Sequence, residues 1–221
     1  MNGDVPVSTF DHEPATAAVT RLLDGIADHQ LSGPTPCTDT PVAALLDHLM
    51  GLSLAFTWAA RKSTAVEGAG RQPGPGTAKA EHLDPDWRGQ LPKRLQDLAD
   101  AWHDPAAWEG MTEAGGLTMP GSVAAMVALD EVVLHGWDLA RATGQPYDCD
   151  PASTAVVLEF VTQAARPEQA PMREGLFGPV VEVPDDAPAF DRALGLAGRD
   201  PAWTPDLVVD RRGPANPADP T

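Results

Sequence analysis

Cysteine is scarce in this sequence, and its scarcity excludes a class of protein. The 221 residues contain two cysteines, Cys37 and Cys149, and neither belongs to a CxxC pair. A disulfide framework is therefore not expected, and free thiols fit a reducing cytoplasm. Because neither cysteine has a His or Arg beside it in the sequence, we expect spectator thiols rather than nucleophiles.

Basic residues are also few. Lysine and arginine together number 15 against 32 acidic residues, which gives a formal net charge of -17. Nucleic acids and anionic membranes bind proteins through clustered Lys and Arg, so the composition predicts neither as a partner. No uninterrupted apolar run reaches the roughly 20 residues of a membrane span, and the start of the chain lacks the basic and apolar regions of a signal peptide. We expect a cytoplasmic protein.

Helical periodicity runs through most of the chain, with no strand–helix alternation, no GxGxxG and no P-loop. Thr40 is expected to cap the second helix, and Pro92 to kink the third or to delay its start to about 91. Residues 104–121 lack a helical pattern and indicate a short hairpin or an extended excursion. The pattern indicates an all-α bundle with four main helices. Predicted helices cover 14–30, 41–62, 85–103, 120–143, 151–165 and 187–198, and the segment 63–84 is a Gly- and Pro-rich loop.

The apolar helix at 120–143 carries three polar residues on one face. Glu131 and His135 are four positions apart, and Asp138 follows seven after Glu131. Four residues turn a helix by about 400°, so these side chains lie in one stripe. A carboxylate and an imidazole on one face are suitable ligands for a divalent metal, and a third ligand from another helix would leave a position open for water or substrate.

His48 is the best source of that third ligand. It lies in the middle of the second helix among leucines, so its face is expected to be largely buried and to need a polar partner. A core histidine bonded to one neighbour is the alternative. The other histidines, His12, His29, His82 and His103, lie near predicted helix ends or in loops, where solvated side chains are the default.

The sequence leaves two roles open for Asp138. It would hold an imidazole N–H or a bound water beside the metal, or else form an ion pair with Arg141 or Arg94. In a catalytic site it would serve as the orienting group or the base.

Two segments resemble a known family. The sequence TPCTDTPVAALLDHLMGL around His48, and DEVVLHGWDLARATG around Glu131 and His135, are similar to the signature helices of the mycothiol-dependent maleylpyruvate isomerase-like group. That group belongs to the DinB-like metal-binding superfamily. The later segment FGPVVEVPDDAPAFDRALGLAGRDPAW resembles an actinobacterial subgroup described mainly as metal-binding proteins.

The resemblance implies a DinB-like four-helix bundle with up-down-down-up topology and a short C-terminal extension. It implies metal ligands at His48, Glu131 and His135, with zinc the first choice and nickel the second. It also implies mycothiol as a co-substrate, and homodimers are common among the relatives. We expect an N-terminal segment at 1–13, the metal-binding bundle at 14–203 and a flexible tail at 204–221.

Three functions follow from this picture. The first is a metal- and thiol-dependent transferase or isomerase acting on a small electrophile, in which loop 63–84 and segment 172–184 cover the pocket. The second is a non-catalytic module, for binding or stress response, whose closed metal site stabilises the core. The third is a metallohydrolase that uses metal-bound hydroxide.

Overall fold

A computed structural model describes residues 9–63, 78–173 and 176–205. Helices dominate the described chain, and one two-stranded antiparallel hairpin interrupts them. The helices are α1 (Glu13–Leu23), α2 (Val42–Ala60), α3 (Trp87–Trp102), α4 (Pro105–Trp108), α5 (Gly121–Thr143), α6 (Pro151–Ala164), α7 (Ala170–Arg173) and α8 (Ala189–Leu196), and the strands are β1 (Met111–Ala114) and β2 (Leu117–Pro120).

Four helices, α1, α2, α3 and α5, pack around a common core. Both α1 and α2 pack against α3 and against α5, so the core lies between these four helices. The helix-rich fold predicted from the sequence is confirmed. The up-down-down-up order of the helices stays a prediction.

Helix α2 is apolar on nearly all sides, because the neighbouring helices enclose it. It is long and apolar enough to cross a membrane by composition, but 83% of that apolar stretch is buried inside the fold, as in a core helix. The predicted cap is wrong by one residue: Pro41 is the N-cap, while the Thr40 hydroxyl donates to the carbonyl of Thr38. A one-residue difference at a helix end is ordinary.

Helix α3 begins at Trp87, with Asp86 as its N-cap, two residues later than predicted. The Asp84 carboxylate accepts from the backbone N–H of Asp86 in a local turn, which delays the helix. Pro92 lies inside the helix without ending it, so the alternative start near residue 91 is wrong. The inner face of the helix is buried; it consists of Trp87, Leu91, Leu95, Leu98 and Trp102.

The predicted hairpin is confirmed and borders the site described below. Strands β1 and β2 pair with Ala114 opposite Leu117. The two turn residues, Gly115 and Gly116, both have positive φ (58° and 81°), which favours glycine. The strands place Ala114, Leu117 and Met119 next to α2 and α5.

The C-terminal part folds back onto α5. Helix α5 ends as predicted at Gly144, which has φ 71°, and the Asp150 carboxylate caps α6 by accepting from Ala152 and Ser153. Helix α8 packs against α6, and the turn after it brings Arg199 to α5. Most of the predicted loop 63–84, of the tail 204–221 and of the N-terminal segment 1–13 lies outside the described residues.

Candidate metal centre

Helices α2 and α5 bring His48, Glu131 and His135 together. Glu131 Oε2 lies 3.0 Å from His48 Nε2 and 3.1 Å from His135 Nε2. The two imidazole rings meet edge to face, with centroids 4.7 Å apart. The three residues predicted as ligands therefore share one point in the fold, and their ligand atoms all lie within 4.8 Å of one another.

These distances fit a divalent ion. Zinc binds imidazole nitrogen and carboxylate oxygen at about 2.0–2.2 Å, so two such ligands stand about 3.4 Å apart around a tetrahedron. The observed separations of 3.0 and 3.1 Å need only small shifts to reach that value. Two imidazoles and one carboxylate are also the ligand set of open zinc sites, which keep a fourth position for a small molecule. The residues present thus suit a metal ion.

Asp138 and Arg199 fix the orientation of His135. His135 Nδ1 donates to Asp138 Oδ2 over 3.0 Å, and Arg199 Nη2 donates to the same oxygen over 3.0 Å. The Asp138 side chain is fully buried, and the Arg199 side chain is nearly so. Because Nδ1 donates to Asp138, Nε2 is the ring nitrogen that faces Glu131, and it is the atom at which a metal ion could replace a proton.

The charges around the triad stabilise one another. Burial opposes ionisation of Glu131, but hydrogen bonds from His135 and His48 outweigh it and hold its pKa well below the ordinary value. Burial likewise disfavours a charged His135, yet its bonds to Asp138 and Glu131 raise its pKa to about 10. The carboxylates around His135 therefore favour a positive charge at this point, which a proton or a metal ion can supply.

Asp138 is held as a carboxylate. Burial alone would raise its pKa, but the Arg199 guanidinium and the hydrogen bond from His135 lower it. The alternative partners considered from sequence, Arg141 and Arg94, are both wrong. Arg141 donates to the carbonyl of Trp203, and Arg94 donates to the carbonyl of Met50. Arg199 was missed because it is 61 residues from Asp138 and no local spacing connects them.

The triad opens into a cavity of about 440 Å³ between α2, α3, α5 and the hairpin. His48 and Glu131 form part of its wall, and their side chains are 33% and 25% exposed. His48 is therefore half-buried, not enclosed as its leucine neighbours in the sequence suggested. His135 lies deeper, behind Glu131. Small molecules can reach two of the three candidate ligands.

Two further groups near the triad were not predicted. Cys37, in the loop before α2, places its sulfur within 4.8 Å of ligand atoms of His135 and Asp138. It thus has a histidine neighbour in space that it lacks in sequence. Asp130 is buried, with one carboxylate oxygen lacking a hydrogen-bond partner; burial and the neighbouring Glu131 raise its pKa well above the ordinary value. Burial raises the pKa of the Cys149 thiol to about 11, so this thiol stays protonated at neutral pH.

The remaining histidines divide into two groups. His29, His82 and His103 are exposed as expected, although His82 also lines the cavity. The expectation for His12 is wrong: it is 1% exposed, its Nε2 donates to the carbonyl of Ala125, and its ring stacks on Trp102. The residue lies just before α1, and the packing of that end against α5 buries it.

Comparison with known proteins assigns the family. The family model for the mycothiol maleylpyruvate isomerase N-terminal domain matches residues 12–140, which include the whole triad. An uncharacterised protein of Mycobacterium tuberculosis, found in strains CDC 1551 and H37Rv, is 30% identical over 196 residues, covering 85% of this chain and 95% of that protein.

Solved structures show the same fold. The crystal structure of the mycothiol-dependent maleylpyruvate isomerase matches with a TM-score of 0.51 at 18% identity, over 68% of this chain and 66% of that one. A mutant of that isomerase with one histidine replaced by alanine matches equally well. Because the family model matches more than half of the chain, this chain belongs to the mycothiol maleylpyruvate isomerase N-terminal domain family.

Proposed function

We propose that this protein is a divalent-metal-dependent enzyme that uses a small thiol of the mycothiol type to act on a small electrophile, either isomerising it or conjugating it. One observation carries the proposal: His48 and Glu131 belong both to the triad and to the wall of a cavity of about 440 Å³. Zinc is the first choice for the ion and nickel the second, because imidazole nitrogen suits both. A reducing cytoplasm, which keeps such a thiol available, fits this activity.

The ion would supply one kind of chemistry. Held by His48, Glu131 and His135, it would lower the pKa of a bound thiol, so that a thiolate nucleophile is available at neutral pH. The protein residues prepare the place for it. Glu131 stays ionised between two imidazoles, and Asp138 holds the Nδ1 proton of His135, so that Nε2 is the nitrogen that would bind the ion.

Asp138 acts through His135 in this proposal. Its side chain is fully buried, it is already bonded to His135 and Arg199, and it is not among the described residues that line the cavity. We therefore assign it a positioning role rather than that of a base. Leu52, Phe56 and Val127 form apolar parts of the wall and limit the access of water to the reacting groups.

Metal content tests the ligand assignment. The protein, purified without a metal-affinity column, is compared by elemental analysis with the variants His48→Ala and His29→Ala. We expect about one ion per chain in the native protein and in His29→Ala, whose histidine is exposed and distant from the triad, and a large loss in His48→Ala. Equal metal in all three proteins, or none in any, would contradict the assignment.

Turnover tests the reaction. The metal-loaded protein is offered a panel of electrophiles, maleylpyruvate among them, with and without mycothiol. We expect turnover that requires both the thiol and the metal. Hydrolysis of esters or amides without thiol would support the metallohydrolase instead. Absence of any turnover, together with a large loss of melting temperature on chelation, would support the non-catalytic module.

A further inference from the structure

The wall of the cavity beyond the triad is mainly apolar. Leu54, Phe56 and Val127 lie along its helical sides, and Met119 lies on the hairpin side. Two of the large apolar side chains exposed on the described surface, Leu117 (58% exposed) and Leu176 (54%), also line this cavity. Exposed apolar side chains that gather at one opening mark a surface suited to an apolar ligand.

The charged groups on the wall are mostly negative. Besides Glu131, the described lining contains the carboxylates of Asp47 and Asp84. Asp47 accepts a hydrogen bond from the backbone N–H of Lys79, and Asp84 accepts one from that of Asp86. The bond from Asp86 holds the pKa of Asp84 below its ordinary value, so this side chain stays ionised. A ligand in the cavity would thus meet fixed negative charge.

Positive charge is scarcer than negative charge on the described part of the wall. Arg94 is the one arginine among the described lining residues, and no lysine is among them. Its Nη1 donates to the carbonyl of Met50 and its Nη2 to the side-chain oxygen of Gln90, both over 2.9 Å. Glu131 and a thiolate together would balance the charge of a divalent ion, so the triad would add no net attraction for an anion.

We propose that this cavity selects uncharged, largely apolar electrophiles and discriminates against carboxylate-bearing ones. The apolar wall gives the affinity, and the carboxylates of Asp47 and Asp84 repel a negative substrate. This inference rests on the proposed function for its catalytic consequence. Its binding consequence stands on the wall residues alone.

A matched pair of unreactive probes tests the binding. Methyl 3,5-dinitrobenzoate and 3,5-dinitrobenzoate share a ring and differ by one negative charge, and neither carries a leaving group. We expect isothermal titration calorimetry of the metal-free protein, in which no ion can bind the carboxylate of the probe, to show the ester binding at least about tenfold more tightly than the acid, a difference of about 1.4 kcal/mol. Equal or tighter binding of the acid, or no binding of either probe, would overturn the proposal.

Charge variants identify the residues responsible. The double variant Asp47→Asn with Asp84→Asn should bind the acid more tightly and the ester unchanged, which narrows the ratio to about threefold or less. The double variant Asp97→Asn with Asp148→Asn removes the same total charge from exposed positions outside the cavity wall and should keep the native ratio. If both double variants narrow the ratio equally, the overall charge of the protein is responsible and the assignment to the cavity is wrong.

Turnover separates this inference from the proposed function. Methyl 4-chloro-3,5-dinitrobenzoate and its acid are offered with mycothiol. The thiol sulfur forms a bond to the ring carbon, the carbon–chlorine bond breaks, chloride leaves and the thiol proton passes to solvent. We expect kcat/KM, corrected for the uncatalysed rate, to favour the ester. Selective ester binding without thiol-dependent turnover of either compound would refute the enzyme while leaving the binding preference intact. Thiol-dependent turnover that favours the acid would support the enzyme and refute the preference for uncharged substrates.

Discussion

Asp138 receives two hydrogen bonds on one oxygen, from His135 Nδ1 and from Arg199 Nη2, each 3.0 Å long. His135 is a candidate metal ligand, so Asp138 connects the ion site to a residue that follows the last helix. Partners of this kind fix the tautomer and the direction of a ligating imidazole. The bond from Arg199 also makes the turn after α8 part of the candidate site.

The first prediction concerns Asp138→Asn. The amide keeps the shape of the side chain but loses the charge that holds the Nδ1 proton of His135 and pairs with Arg199. We expect metal affinity, measured by competition with a chromophoric chelator, to fall about 10–100-fold. The exposed Asp148→Asn provides the control and should bind as the native protein does. Native affinity in Asp138→Asn would show that the bond to His135 has no part in metal binding.

The second prediction concerns stabilisation by the ion. A ligand that binds only the folded state raises its stability by about 4 kcal/mol at a free concentration a thousand times the dissociation constant. We therefore expect added zinc to raise the melting temperature of metal-free protein. Glu131→Gln removes the one carboxylate that both imidazoles contact and should abolish the rise. Glu113→Gln, on an exposed position of β1, should retain it. An equal rise in both variants would place the stabilising ion elsewhere.

The candidate ligands could be identified from sequence because they depend on local geometry. Glu131 and His135 are one helical turn apart, and His48 lies in the middle of an apolar helix, so each is visible in a short segment. The helices themselves follow from periodicity in the same way. The pairing of His48 with Glu131 and His135 was predicted because buried polar groups on two helices of one bundle need partners, and the family resemblance agreed with it.

The rest of the site depends on contacts between distant segments. Arg199 reaches Asp138 only because α8 packs on α6 and the chain then turns back to α5. Cys37 approaches His135 through the loop before α2, and the cavity needs the hairpin to form one of its sides. None of these positions has a periodic signal, since long-range packing decides them. The burial of His12 was mispredicted for the same reason.

The third prediction concerns the turn that carries Arg199. Gly198 has φ 82°, and a Cβ there would lie 2.7 Å from the backbone of Gly178. Gly144 has a similar φ of 71°, but a Cβ there would meet nothing within 4 Å. Both alanine variants incur the cost of a left-handed residue, about 1–2 kcal/mol. Only Gly198→Ala adds a backbone clash, which typically costs about 1–3 kcal/mol more.

Urea unfolding measures that difference. We expect Gly198→Ala to lose more stability than Gly144→Ala and also to bind metal more weakly, because the turn positions Arg199 against Asp138. Gly144→Ala should keep native metal affinity. If the two variants lose the same stability, the close approach of Gly178 to Gly198 does not constrain this turn.

The last prediction uses His12, which is outside the metal site. Burial lowers its pKa to about 4, against an ordinary value of 6.5, although the bond to the Ala125 carbonyl partly opposes this. Below pH 6.5 the unfolded chain takes up a proton on this residue that the folded protein does not. The free energy of unfolding must therefore fall as pH decreases from about 6.5 to about 4. Below pH 4 this residue no longer changes how that free energy depends on pH. Between pH 6.5 and 4.5 the loss attributable to His12 is about 2–3 kcal/mol.

His12→Gln isolates this contribution. Glutamine keeps an N–H for the Ala125 carbonyl but does not titrate, so the variant starts less stable at pH 7, having lost the stacking on Trp102, and declines less steeply with acid. His29→Gln, at an exposed position, should follow the native curve. The free energy of unfolding, measured by urea denaturation at half-unit steps from pH 7 to 4.5, checks both. Parallel native and His12→Gln curves would mean that His12 is protonated to the same extent in the folded and unfolded states.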